Sequence, residues 1–267
     1  ALAAEARLLR RADPSRVRLL GALETSGGLA LVLEPTPAPP LPLPPGLALD
    51  LGLDLLEGLA RLHERGLAHA ELGWGAIGLV TRPPSLSAPD AAALSQACTQ
   101  GAARLVLADL SGVRAFPFLR ALAEGRRSGA LPPPALARPE AAPERVELAN
   151  SPGRCAARVD PPKGDVYAAG QLLQAMLTGA LPEPASGEAL LARKRREAAG
   201  ELSALSPGLE RLPVALAPVR ELLGALLAPR PEARPSAAEA RAELARRVQA
   251  RAVQGPLGPI ERQRLLT

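Results

Sequence analysis

Apolar residues recur at helical spacing in several stretches of this chain and cluster into short runs in others. Leu2, Glu5, Leu8, Leu9 and Ala12 follow a helical period until Asp13 and Pro14 stop it. Two short apolar runs follow, Val17 to Leu20 and Leu29 to Leu33. Ser26, Gly27 and Gly28 lie between them, so the pair predicts a hairpin. Residues 35 to 45 are rich in proline, which fixes φ and removes amide donors, and they predict an extended connector. Leu51, Leu55, Leu56, Leu59 and Leu62 form the stripe of a long helix that Gly66 ends. Short strands are expected at residues 76–80 and 104–108, flanking a Pro/Ser/Ala-rich excursion over 81–102. Residues 111–164 show little period and read as mostly loop. Helices return at Asp165, where Val166, Ala169, Leu172, Leu173, Met176 and Leu177 share a face and Gly179 ends the run. Leu216, Val219, Leu222, Leu223, Leu226 and Leu227 repeat that pattern. Ser236 and Glu239 form a capping box, in which hydroxyl and carboxylate each satisfy an orphan amide, and it opens the last helix.

Composition narrows the reading. Of 267 residues, 47% are hydrophobic and 1% aromatic, so the core must be built from Ala, Leu and Val. An apolar fraction this high, with 22% charged residues, excludes a wholly disordered chain. No apolar run approaches the ~20 residues of a membrane span. Cys98 and Cys155 make no metal-ligand or redox motif, so both read as free thiols and a reducing cytoplasm is the expected compartment. The net charge is +5, yet Lys163 and Lys194 are the only lysines and Ile77 and Ile260 the only isoleucines. Such bias toward Ala, Arg, Gly, Pro and Leu fits high-GC coding, which weakens any inference of nucleic-acid binding from charge. The densest basic run, Arg193 to Arg196, reads as a solvated helix face. His63 likewise reads as a helix-surface residue.

Five local signatures then fall in order. Leu62-His63-Glu64-Arg65-Gly66-Leu67-Ala68-His69-Ala70-Glu71-Leu72 runs from a helix end into a loop. Leu107-Ala108-Asp109-Leu110-Ser111 follows a strand. Ala142-Pro143-Glu144 comes next, then Asp165-Val166-Tyr167-Ala168-Ala169-Gly170 with Leu177-Thr178-Gly179-Ala180-Leu181-Pro182, and then Pro231-Glu232-Ala233-Arg234-Pro235-Ser236. Each alone is weak. Together, at the right helix and strand ends, they resemble the protein kinase family over roughly residues 5 to 248. The matching family patterns are H-R-D-L, D-F-G, A-P-E, the D-V-Y-S-F-G helix and the P-x-x-R-P-S turn.

The resemblance implies an α+β, protein-kinase-like fold. Residues 1–34 would be the remnant of a first lobe (one helix and a hairpin), 35–46 a Pro-rich hinge connector, 47–250 a mostly helical second lobe and 251–267 a linker or tail. The glycine-rich loop and its strand lysine would precede Glu5. Either the sequence is a fragment or the phosphate-gripping half is lacking, and both remain open here.

Phosphoryl transfer needs nucleotide, metal and hydroxyl positioned and their charge neutralised. At the catalytic-loop aspartate the chain has Glu71, one methylene longer, and a misplacement of about 1 Å can cost roughly 10²-fold. Gly73 stands in place of the lysine, and Ala76 in place of the metal-binding asparagine. Asp109 keeps the D-F-G carboxylate, the one metal ligand left. Glu5 matches the helix glutamate of the nucleotide site. Gly78 falls where the family sets an apolar side chain under adenine. Trp74 packs where the family has proline.

The scaffold positions fare differently. His69 and Leu110 match the spine, Asp165 the residue holding the catalytic-loop backbone, and Glu144 with Arg234 a buried ion pair. The family arginine that receives a phosphorylated activation-segment residue is Ala70, and Ser111 and Ser128 are the only hydroxyls between Asp109 and Glu144. The expectation is a catalytically impaired, bacterial-type Ser/Thr kinase homologue, pseudokinase-like, with weak or absent ATP and Mg²⁺ binding. It would act on protein partners in signalling, without nucleic acid or a membrane span. The alternatives are a weakly active Ser/Thr kinase using Glu71 and Asp109, and an Ala/Leu-rich helical protein with chance motifs.

Overall fold

The computed structural model describes residues 19–25, 28–34, 36–82, 90–110, 113–117, 119, 139–150, 160–182 and 187–254. The helix expected around Glu5 and Leu9 lies outside them, as do Ser111, Ser128, Cys155 and the tail beyond Gln254. Strands β1 (Leu19–Thr25) and β2 (Gly28–Leu33) form the antiparallel hairpin, with Thr25 facing Gly28 across its tip. No helix interrupts the described connector that follows. Its backbone is tied down at Leu43, whose amide donates to the Met176 carbonyl at 3.2 Å.

Helix α1 (Pro45–His63) starts with proline at its first turn, where a missing amide costs nothing, and carries Arg61 and His63 near its C-terminus. Leu47, Leu51, Leu55, Leu59 and Leu62 are all buried along one face. β3 (Leu67–Ala68) pairs antiparallel with β6 (Arg114–Ala115), and β4 (Ile77–Thr81) pairs antiparallel with β5 (Ala103–Leu107).

Two sequence expectations change. The excursion over 81–102 contains helix α2 (Ala91–Thr99). The Asp90 side chain caps it by accepting from the Ala93 amide, and Leu94 and Cys98, one turn apart, are buried. The stretch read as loop likewise contains helix α3 (Pro143–Asn150), which opens on Pro143 and Glu144.

Helix α4 (Pro161–Thr178) is buried on nearly all sides, from Gly164 through Leu177, rather than along one face. It ends as expected, with Gly179 in the left-handed region at φ 76° and its amide on the Ala175 carbonyl. Helices α5 (Gly187–Ala198), α6 (Ala217–Leu226) and α7 (Ala237–Gln254) complete the order. The capping box opens α7: the Ser236 amide donates to Glu239 Oε2 at 2.7 Å, and the Glu239 amide donates to Ser236 Oγ at 3.2 Å. The main core joins α1, α4, α6 and α7 to the β4–β5 pair.

The basic run on α5 is not wholly solvated. Arg195 and Arg196 are exposed, but Lys194 is 1% exposed. Its Nζ donates to Glu197 Oε2 at 2.9 Å and to the Tyr167 hydroxyl at 3.2 Å, while that hydroxyl donates to the same carboxylate oxygen at 2.6 Å. A charge read as solvent-facing is thus part of a buried network between α4 and α5. Burial lowers the Lys194 pKa against the opposing pull of Glu197. Burial, then Glu197, raises that of Tyr167.

Candidate functional site

The candidate site lies on the loop between β3 and β4. His69 is fully buried, and Ala70 sits at φ 64°, a conformation an alanine adopts at a cost of about 1–2 kcal/mol. The Asp165 carboxylate, from the second turn of α4, holds that strained backbone. Its Oδ2 accepts from the His69 amide at 2.7 Å and its Oδ1 from the Ala70 amide at 3.0 Å. Two further side chains converge on the same group. Arg145 of α3 lies 2.9 Å from Oδ1, and His63 Nε2, at the end of α1, lies 3.0 Å from Oδ2. Burial alone would raise the Asp165 pKa. The Arg145 guanidinium, with His63 and His69, outweighs it and holds the carboxyl well below the usual carboxylate range. His63 is therefore a partner of Asp165 and not a free surface residue. For His69, burial disfavours the imidazolium and lowers the pKa, and the Asp165 and Asp109 charges oppose this only in part.

Beyond Ala70 the loop continues through half-buried Glu71 and buried Leu72 and Gly73, then tightens into a 3₁₀ turn, Trp74–Ala76. The Trp74 amide donates to Glu140 Oε1 at 3.3 Å. β4 and β5 then bring the two halves of the expected metal site together. The Ala76 carbonyl accepts from the Ala108 amide at 2.9 Å and from the Asp109 amide at 3.4 Å. Asp109 is thus tied through its backbone to Ala76, whose methyl side chain can coordinate nothing. Among the described residues no three His, Cys, Asp or Glu side chains gather to hold a metal ion. Leu110, next to Asp109, is buried in the main core.

Gly78, on β4, is crowded rather than open. The connector lies across it, with the Pro37 carbonyl accepting from the Leu79 amide at 2.8 Å. A Cβ on Gly78 would come within 2.5 Å of Thr36 Cβ and 2.8 Å of the Thr36 carbonyl oxygen. The surface that the resemblance assigns to adenine is covered by the chain itself.

Glu144 and Arg234 form a two-pronged buried pair, at 2.6 Å and 3.0 Å. The Arg234 guanidinium also donates to the carbonyls of Ala228, Lys163 and Pro229, and stacks 4.9 Å from the Tyr167 ring centre. Every donor of this buried arginine's fork thus faces an acceptor, which offsets its desolvation. Glu5 lies outside the described residues. Sequence reasoning missed His63 and Arg145. The signal for His63 was its place in the last turn of α1; for Arg145 there was only its position next to Glu144.

No protein-family model matches the chain, and no curated protein matches its sequence. Solved structures do match its fold. A structure of the Rad53 kinase domain and SCD2 in complex with AMPPNP aligns with 99% of this chain and 87% of its own, at 16% identity and a TM-score of 0.61. A second, of the Rad53 kinase domain and SCD2, aligns with 94% and 85%, at 16% identity and a TM-score of 0.57. A third, Rad53 1–466 in complex with AMP-PNP, has 19% identity and a TM-score of 0.56; it covers 90% of this chain, which spans 53% of that longer one. The chain has a protein-kinase-like fold.

Proposed function

We propose that this chain is a catalytically impaired homologue of Ser/Thr protein kinases that works by holding protein partners in signalling rather than by transferring phosphate. The observation that carries this reading is the pairing of Asp109 with Ala76 across the β4–β5 end, where a kinase needs two metal ligands and this chain offers one. Gly73, in place of the loop lysine, removes the cation that would meet the transferring phosphoryl group. The residues present do not fit ATP and Mg²⁺ well, because Thr36 covers Gly78 and Ala76 supplies no donor. We further propose a bacterial, cytoplasmic protein: the buried Cys98 fits a reducing compartment, and the bias toward Ala, Arg, Gly, Pro and Leu fits high-GC coding. No helix among the described residues is long and apolar enough to cross a membrane.

The test is thermal unfolding with millimolar ATP, with and without Mg²⁺ or Mn²⁺. A ligand at 100 times its Kd would add about 2.7 kcal/mol of stability. The expected result is a midpoint unchanged by nucleotide or metal. A large metal-dependent rise, with phosphate transfer to a protein hydroxyl that Asp109→Asn abolishes, would replace this reading by that of a weakly active kinase using Glu71 and Asp109.

A further inference from the structure

Arg145 makes contacts that its sequence position does not announce. It is 4% exposed and reaches from α3 to the Asp165 carboxylate at 2.9 Å and to the Pro161 carbonyl at 2.5 Å. The first turn of α4 is shaped to receive it. A Cβ on Gly164 would collide with Arg145 Nε and lie 2.9 Å from Cζ, so the guanidinium rests against a helix surface that only glycine leaves open. The oxygen of Asp165 that Arg145 engages is Oδ1, the same atom that accepts from the strained Ala70 amide. The segment carrying Arg145 grips the loop a second time, through Glu140 and the Trp74 amide.

We propose that Arg145, seated on Gly164, is a positioning residue: acting through Asp165, it holds Ala70, and with it the loop that bears Glu71, and it makes the docking of residues 139–150 a permanent feature of the fold. A lone buried carboxylate would have to satisfy two amides and a histidine ring without a full opposite charge beside it. Arg145 supplies that charge from the segment that, in the resembling family, is placed by a phosphorylated residue and the arginine that Ala70 replaces here. The inference concerns loop placement and holds with or without phosphate transfer.

Trp74 is the only tryptophan of the chain and lies in the loop itself, so its fluorescence reads the loop directly. In Arg145→Met the Trp74 emission should move to the red, and amide exchange at His69 and Ala70 should accelerate by about tenfold or more while exchange in β4 and β5 stays as in the parent. Arg145→Lys should recover part of this, since one ammonium cannot serve both Asp165 and the Pro161 carbonyl. Should Arg145→Met fail to fold, Gly164→Ala decides. It should produce the same loop signature in the parent, because the new methyl displaces the guanidinium, and no further loop change in the Arg145→Lys background. A folded Arg145→Met with parental Trp74 emission and loop exchange, or a Gly164→Ala that leaves the loop untouched, overturns the proposal.

Discussion

The carboxylate of Asp165 has four partners drawn from three separate stretches of chain: His63, the amides of His69 and Ala70, and Arg145. Its folded-state pKa is depressed, so the unfolded chain binds a proton more readily than the folded one. The stability this group contributes is complete above the unfolded value near 3.8 and is lost as pH falls below it toward the folded one. Asp165→Asn should cost about 3–5 kcal/mol near neutral pH, because Arg145 is left buried without its counter-charge. It should also flatten the acid limb of a urea-unfolding series run from neutral pH to pH 3. His69 adds a slope of the same sign in a higher pH range: buried neutral, it is outcompeted for protons by the unfolded chain below its ordinary value of 6.5. At this scale the readable residues are those embedded in an ordered motif. Asp165 and the Glu144–Arg234 pair belong to that class, since each is flanked by turn and helix signals that place it. Arg145 and Lys194 do not, and His63, though inside the first signature, matches none of its H-R-D-L positions. A charge within a helical period carries no mark of a distant partner, and the default assignment to solvent fails where that partner exists.

At the scale of elements, the connector and β4 explain each other. Residues 36–44 are pinned by the Leu79 amide at Pro37 and by the Met176 carbonyl at Leu43, and Gly78 is bare because Thr36 rests on it. Gly78→Val should push the connector off β4 and cost about 1–3 kcal/mol by overpacking, read as a lower midpoint in chemical denaturation. An unchanged midpoint would mean that the connector is not seated there. Helix α1 is legible from its leucine stripe and the glycine after it, α7 from its capping box, and the β4–β5 pair from two short apolar runs. Helix α2 is harder to see, since Ser, Gln and Thr dilute its two apolar anchors, Leu94 and Cys98. Helix α4 shows the converse: its period predicts one buried face, but neighbouring helices and loops bury Asp165, Gln171 and Gln174 as well.

Across the whole molecule, aliphatic packing with 1% aromatic residues leaves few directional contacts to select one arrangement of helices. Leu and Ala fill space without dictating orientation. Buried polar clasps supply that direction here: Asp165 joins α1, α3 and α4, Glu144–Arg234 ties α3 to the turn before α7, and Lys194–Glu197–Tyr167 ties α4 to α5. The last clasp predicts strong coupling. Glu197→Ala alone strands a buried ammonium and should cost about 3–5 kcal/mol. Pairing it with Lys194→Met should restore much of that loss, and a double-mutant cycle measures how much. Additive effects would mean that the pair does not act as a unit.

Tyr167 is the sole tyrosine, and none of its surface reaches water. The folded protein therefore offers no phenol to a modifying enzyme or an oxidising reagent. Any chemistry on that ring must wait until the helix at the heart of the molecule comes uncovered.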